Sequence, residues 1–308
     1  MKKLLVLALA LLLSGAGGRR LRDTPAAVVV KVEGPVQIEP QGEGPLPATV
    51  GARLFPGDRV LPGVDGRAVL VYRTGTTREA TEELVVEIPG EEADGDLFSR
   101  TLRVLAQAAD SDARTRPNRQ GMIRPLPGVS PSIIAPRNGI AVMETSPTFR
   151  WFPMEGAPGY RVQIRKVGGE IRRFETGPDT AWTLPAGAEA LDRGEAYAWT
   201  VAPTTRGRPA TEAEFTVLDR TRLESVEEQM ELLEASGLDP AGDGAFLAAV
   251  VYREADLLYA AADALETLEE AGDPLGADAW LLKGEIMDAM GDLDAAREAF
   301  DNADRMAR

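Results

Sequence analysis

Neither histidine nor cysteine occurs in this 308-residue chain, so its 49 aspartates and glutamates are the main stock of side chains that could do chemistry. The two absences remove whole reaction classes: Ser-His-Asp and Cys-His nucleophiles, thiolates, and zinc sites of the usual nitrogen and sulfur kind. What remains is oxygen chemistry. A carboxylate pair at glycosidase spacing is one form of it, but nothing in the sequence marks one pair above another. A hard cation such as calcium is the other. The turn Asp239–Asp243 (DPAGD, then Gly244) sets two carboxylates among small residues, yet it lacks the alternating ligands and closing glutamate of a calcium loop. Phosphate-cradling glycine motifs and the G-x-S-x-G elbow are absent. The chain therefore reads as non-enzymatic, with no catalytic, cofactor-binding or metal residue and no cofactor.

Charge is unevenly placed. Residues 219–308 hold 23 acidic and 7 basic side chains, a net of −16, while the rest, 26 acidic and 27 basic, is about neutral. Phosphates repel such a surface, which argues against nucleic acid. Solubility alone explains it; it would also steer a basic partner. At the other end, Lys2 and Lys3 precede the apolar run Leu4–Leu13 and then Ser14-Gly15-Ala16. That is the pattern of a signal peptide over 1–16, with an apolar stretch about half the roughly 20 residues that span a bilayer. No cysteine follows the run, so the expected mature form is exported, periplasmic or secreted, non-lipidated and without a membrane span.

Three blocks of elements would position any site. The last, 219–308, is helical in pattern. Leu223, Val226, Met230 and Leu233 space one helix, closed by Gly237 and Asp239-Pro240. Ala245 to Glu270 follows, then Ala277–Ala303 (ADAWLLKGEIMDAMGDLDAAREAFDNA). In that last stretch Gly284 and Ala296 would let two antiparallel helices approach, Trp280 and Phe300 would fill the space beside them, Gly291 marks the turn, and Asp292 is placed to cap the second helix. Leu258, Ala261 and Leu265 stand 35 residues before Leu293, Ala296 and Phe300. This code resembles a tetratricopeptide (TPR) repeat, whose units recur at about 34 residues. The first copy is degenerate, with Ala245, Ala249 and Asp256 in the places of Trp280, Gly284 and Gly291. The resemblance implies an all-α block of hairpins that binds a partner, with Tyr252, Lys283 and Met287 on its concave, partner-facing side. The partner would be a basic protein, or a second copy of the chain completing the stack.

Residues 25–90 are all-β in pattern. Val28, Val30 and Val32 alternate with Val29 and Lys31, and short apolar runs recur at 36–38, 68–72 and 84–88 between Gly and Pro. Val32, Gly34 and Val36, then Gly51, Leu54, Gly57, Asp58 and Val60, then Ala68 and Leu70 resemble a FecR domain. Gly57-Asp58 suits a tight turn with a local Asp side-chain bond, and Val36, Val60 and Leu70 would fill the core. The transmembrane and cytoplasmic parts that accompany such domains in iron-uptake signalling have no counterpart, so the resemblance implies an exported interaction module.

Between them, 91–130 reads as a helix over 96–109 followed by a Pro- and Arg-containing linker (Arg114, Arg116, Arg119 and Arg124). Residues 131–218 carry short strands with turn signals, the pattern of a β-sandwich. Pro147, Phe149 and Trp151, then Gly156, Tyr160, Val162 and Ile164, then Gly194, Tyr197, Trp199 and Val201 resemble a fibronectin type III or immunoglobulin-like module. The aromatic residues fall on the apolar face of the alternation, which predicts core rather than a sugar-stacking platform. The whole reads as a multidomain envelope protein acting as an interaction scaffold. A carbohydrate- or cell-wall-binding protein using the β domains is the alternative.

Overall fold

The computed structural model describes residues 25–87, 101, 103–104, 130–185 and 187–306. The expected signal peptide and the arginines of the linker lie outside them. Of the expected helix over 96–109, Thr101, Arg103 and Val104 are described, all helical, with Thr101 and Val104 buried.

The first block is eight short strands, β1 (Ala27–Glu33), β2 (Val36–Glu39), β3 (Leu46–Pro47), β4 (Arg53–Leu54), β5 (Arg59–Pro62), β6 (Arg67–Tyr72), β7 (Thr77–Ala80) and β8 (Leu84–Val85). They form two four-stranded sheets, β4-β1-β6-β7 and β3-β2-β5-β8. Val36, Val60 and Leu70 are buried between them. At the Gly57-Asp58 turn, Gly57 has φ 94°, and the Asp58 carboxylate accepts the amides of Phe55 (2.8 Å) and Gln41 (3.1 Å). Strand β1 departs from the expected alternation. Val29 and Lys31 are buried along with Val28, Val30 and Val32. An apolar run without alternation is what a strand covered on both faces looks like, and the second cover comes from the far end of the chain.

The second block holds β9 (Ile133–Ala135), β10 (Ile140–Val142), β11 (Thr148–Trp151), β12 (Tyr160–Lys166), β13 (Ile171–Thr176), β14 (Ala181–Thr183), β15 (Ala196–Pro203) and β16 (Thr211–Val217). A five-stranded sheet, β10-β16-β15-β12-β13, faces a three-stranded one, β14-β11-β9. Alternation is kept along β12 and β16, where Tyr160, Val162, Ile164, Ala213, Phe215 and Val217 point inward. Phe149 meets Trp199 edge-on at 4.9 Å and Trp151 meets Tyr160 at 5.2 Å, the geometry that ring quadrupoles favour. The Trp199 indole donates to the Pro136 carbonyl at 2.8 Å, so its one polar atom is satisfied inside.

Five helices follow: α1 (Arg220–Ala235), α2 (Ala245–Glu254), α3 (Leu258–Glu270), α4 (Ala277–Ala289) and α5 (Leu293–Met306). Asp219 caps α1 by accepting the Arg222 amide at 2.9 Å, and Asp292 accepts the Ala295 amide at 3.2 Å at the start of α5. The 35-residue period is visible in the backbone. Asp256, between α2 and α3, has φ 59°, and Gly291, between α4 and α5, has φ 77°. Inside the α4–α5 hairpin a Cβ on Gly284 would sit 2.4 Å from Cε1 of Phe300. Gly284→Ala is therefore expected to cost about 1–3 kcal/mol by overpacking. Phe300→Leu should recover part of it, as measured by urea denaturation of both variants.

Candidate interaction surface

The helices are not a separate tail. One continuous core contains Val28, Val30, Val50 and Leu70 of the first block together with Phe246, Leu265, Leu282 and Ile286 of the helices. At its seam a segment of the first block lies along the α3–α4 connection. The Val50 amide donates to the Pro274 carbonyl and the Gly276 amide donates to the Val50 carbonyl, both at 2.8 Å. This parallel bridge explains two glycines. A Cβ on Gly276 would lie 2.5 Å from Thr49 Oγ1, and one on Gly51 would lie 3.1 Å from the Ala279 nitrogen.

Among the described residues three ion pairs cross the seam, each with its cation on the first block and its anion on the helical one. Lys31 Nζ is 3.0 Å from Asp273, with side chains 9% and 2% exposed. Arg53 grips Asp278 with two bonds of 2.6 and 2.8 Å, the fork geometry that makes Arg–carboxylate pairs strong. Arg67 donates to Asp243 at 2.7 Å. Its guanidinium is raised above its ordinary value mainly by that bond, as that of Arg53 is by Asp278. Burial pushes the Asp273 carboxyl up, and Lys31 pulls it only part of the way back. Asp243, from the Asp239–Asp243 turn, is thus spent on Arg67. The other carboxylate of that turn, Asp239, accepts the Ala241 amide. Among the described residues no group of three or more acidic side chains could hold a metal.

A second seam joins helices and sandwich. Ala141 and Leu218 share a small core with Val226, Val251 and Leu257. The Tyr259 hydroxyl donates to the Ile134 carbonyl at 2.7 Å, and burial raises it to about 12. Arg137 donates to the carbonyl of Met290 at 3.1 Å. Beside this seam runs an open groove of about 400 Å³, lined among others by Pro136, Met143, Arg150, Leu257, Tyr259 and Asp263.

The residues expected to face a partner stand as follows. Lys283 and Met287 share one face of α4. Lys283 is paired with Glu269 and lies 5.2 Å from the centroid of the Trp280 ring, so its charge is already engaged. Met287 is half-buried against the shared core. Tyr252, one period earlier on α2, is half-buried between the two seams, and burial raises its hydroxyl. Sequence reasoning missed the residues that do meet another module: Lys31, Arg53, Arg67, Asp243, Asp273 and Asp278. Lys31 carried a signal, as the only charge inside a run of valines. A cation there is buried only with a counter-ion.

No family model matches the chain, and no curated protein does. Solved structures give likenesses of low score. The FN5 domain of Drosophila Lar is 19% identical over 30% of this chain and 98% of that one, with a TM-score of 0.22. The chicken CNTN1 FN1-FN3 domains are 14% identical over 63% of each chain, at 0.23. A β-1,2-glucanase from Parabacteroides distasonis is 12% identical over 57% of this chain and 34% of that one, at 0.23. Such scores carry no argument on their own. The strand pairing of β9–β16 by itself defines a two-sheet sandwich. The molecule is a mixed protein, a β block and a sandwich held on a five-helix block. Among the described residues no helix is long and apolar enough to cross a membrane.

Proposed function

We propose that this is a non-enzymatic, exported envelope protein that acts as an interaction scaffold, built from a FecR-like module, a fibronectin III-like sandwich and TPR-like hairpins. The observation that carries the reading is the use of the helices as a hub. They hold one module by a continuous core and three ion pairs and the other by a smaller seam, which is what rigid presentation of surfaces requires. Of the buried carboxylates, Asp273 is held by Lys31 and Asp58 by the backbone amides of Phe55 and Gln41.

Contact with a protein partner is assigned to the half-open face of α4, at Lys283 and Met287, with Tyr252 beside it. Stacking of a second copy onto α5 is poorly supported by its chemistry. That helix buries Ala296, Ala299 and Ala303 and turns Asp294, Arg297, Glu298, Asp301 and Asp304 outward, the polar outer face of a capping element. Carbohydrate binding loses its motivation, because Trp151, Tyr160, Tyr197 and Trp199 are in the core. To test the scaffold reading, a protein captured from envelope extract by the full chain is purified and its affinity measured. Lys283→Gln and Met287→Ala are expected to weaken it at least tenfold, in line with a central contact, with the melting of each variant measured beside it so that loss of the Glu269 pair or of core packing is told apart from loss of contact. Unchanged affinity in both would remove this face from the interaction.

A further inference from the structure

The five-stranded sheet of the sandwich ends in β13. Ile171 to Thr176 pair with Arg165 to Tyr160 of β12 without a register shift. The strand holds no proline and no bulge, two of the devices that blunt a sheet edge. Among the described residues no backbone bond joins 171–176 to anything but β12, so the far side is an open row of donors and acceptors. Two kinds of side chain flank that row. On the inner side Phe174 meets Trp182 of β14 at 4.7 Å, both half-buried where the two sheets end. Arg172 is engaged there, over the Phe174 ring at 5.8 Å and on the Glu189 carbonyl. On the outer side stand Ile171, Arg173 and Glu175, all exposed. Glu175 lies directly opposite Arg161, whereas Arg173 lies opposite Gln163. The diagonal neighbours of Arg173 are Arg161 and Arg165, at the roughly 7–8 Å of such positions. Arg165 reaches Glu212 at 3.8 Å, but among the described residues Arg173 has no anion. Three guanidiniums thus crowd one face of a chain whose net charge is −15.

We propose that the β13 edge binds an extended segment of a partner protein, added as a further strand, in which acidic residues alternate with apolar ones. Successive side chains of an added strand point to opposite faces. The acidic set lies beside Arg173 and relieves its crowding by like charges. The apolar set covers the half-buried Phe174 and Trp182. Main-chain bonds supply the affinity, and the two faces supply the choice of sequence. The same arginine repels a basic strand, so one side chain both attracts and excludes. This contact is separate from the one assigned to α4 and does not depend on it.

The probe is a capped peptide of alternating glutamate and valine, about eight residues long, titrated into the full chain. Saturable binding is expected, with slower amide hydrogen exchange across 171–176. Arg173→Glu sets an anion between two arginines, so the fold should keep its melting while the peptide binds at least about tenfold more weakly, the loss of one charge-assisted contact. Lys283→Gln should leave the peptide affinity unchanged. No saturable binding, or unchanged affinity in Arg173→Glu, overturns the proposal. So does binding that leaves exchange across 171–176 as fast as before. A control peptide carries the same residues sorted into a glutamate block and a valine block. Equal binding of that control marks the face as a patch for any polyanion and overturns the added strand. If the chain alone doubles in mass, with protection of 171–176 rising with its concentration, the edge belongs to a second copy and the proposal falls.

Discussion

Lys31→Ala is expected to remove about 3–5 kcal/mol of folding stability, the typical result of deleting one partner of a buried ion pair. The cost arises at Asp273, whose side chain is 2% exposed and would be left as a buried, uncompensated anion. The companion Lys31→Met/Asp273→Leu should restore most of the loss or exceed the original, since desolvating two charges consumes much of their attraction. The acidity of Asp273 says the same. Burial raises it more than Lys31 lowers it, so the folded state binds the proton more tightly than the unfolded one. The contribution of this carboxyl to stability is then full below its ordinary value near 4 and is lost as pH rises through the folded value. Compared with Asp273→Asn, the unaltered protein should therefore gain stability as pH falls from neutral toward 4, as read by urea midpoints at each pH. A gain in the opposite direction would show that the pair, not burial, dominates at Asp273.

Local chemistry was legible in the sequence, and encounters between blocks were not. Gly57 and Asp58 declare their turn because the backbone angle and the side-chain bond are both decided within a few residues. The inward faces of β12 and β16 follow from a period of two. The equivalence of Asp256 and Gly291 follows from a period of 35, and the backbone keeps it even where the residue types differ. Lys31 and Val29 fail as outward residues because alternation assumes one wet face. Whether a strand has a wet face depends on elements more than 200 residues away. Asp273 and Asp278 look like any other surface carboxylate in the sequence, since a partner cation leaves no mark at fixed spacing, and Asp243 stands out there only for its turn, not for Arg67. Lys283 and Met287 were placed on a common face, as helix geometry requires, but the pairing of Lys283 with Glu269 belongs to the packing of α3 on α4.

The fragment 219–308 is expected to lose cooperative unfolding when made alone, although its helix-forming pattern is strong. The reason is α2. Its first seven residues, Ala245 to Val251, are all buried, and a helix apolar on all sides is stable only when covered on all sides. Helices α1 and α3 supply part of that cover, and β1 supplies the rest across the seam. Without the first block Phe246, Leu275 and Ala279 face water where Val50 and Gly51 stood, and Asp273 loses Lys31. Exposing even three or four large apolar groups at about 1.5–3 kcal/mol each matches the entire net stability of about 0.05–0.15 kcal/mol per residue that a block of this size commands. Circular dichroism should show residual helix with a broad, shallow urea transition, whereas the full chain melts sharply. A sharp transition in the fragment, with a denaturant slope proportionate to its size, would mean that the helices carry their own core and that the seam joins two finished domains. Deleting the helices from the full chain is for the same reason a poor test of partner binding, because it uncovers β1 at the same time. A point change at Lys283, whose contacts to Glu269 and Trp280 lie within the helical block, leaves the seam intact and separates recognition from folding.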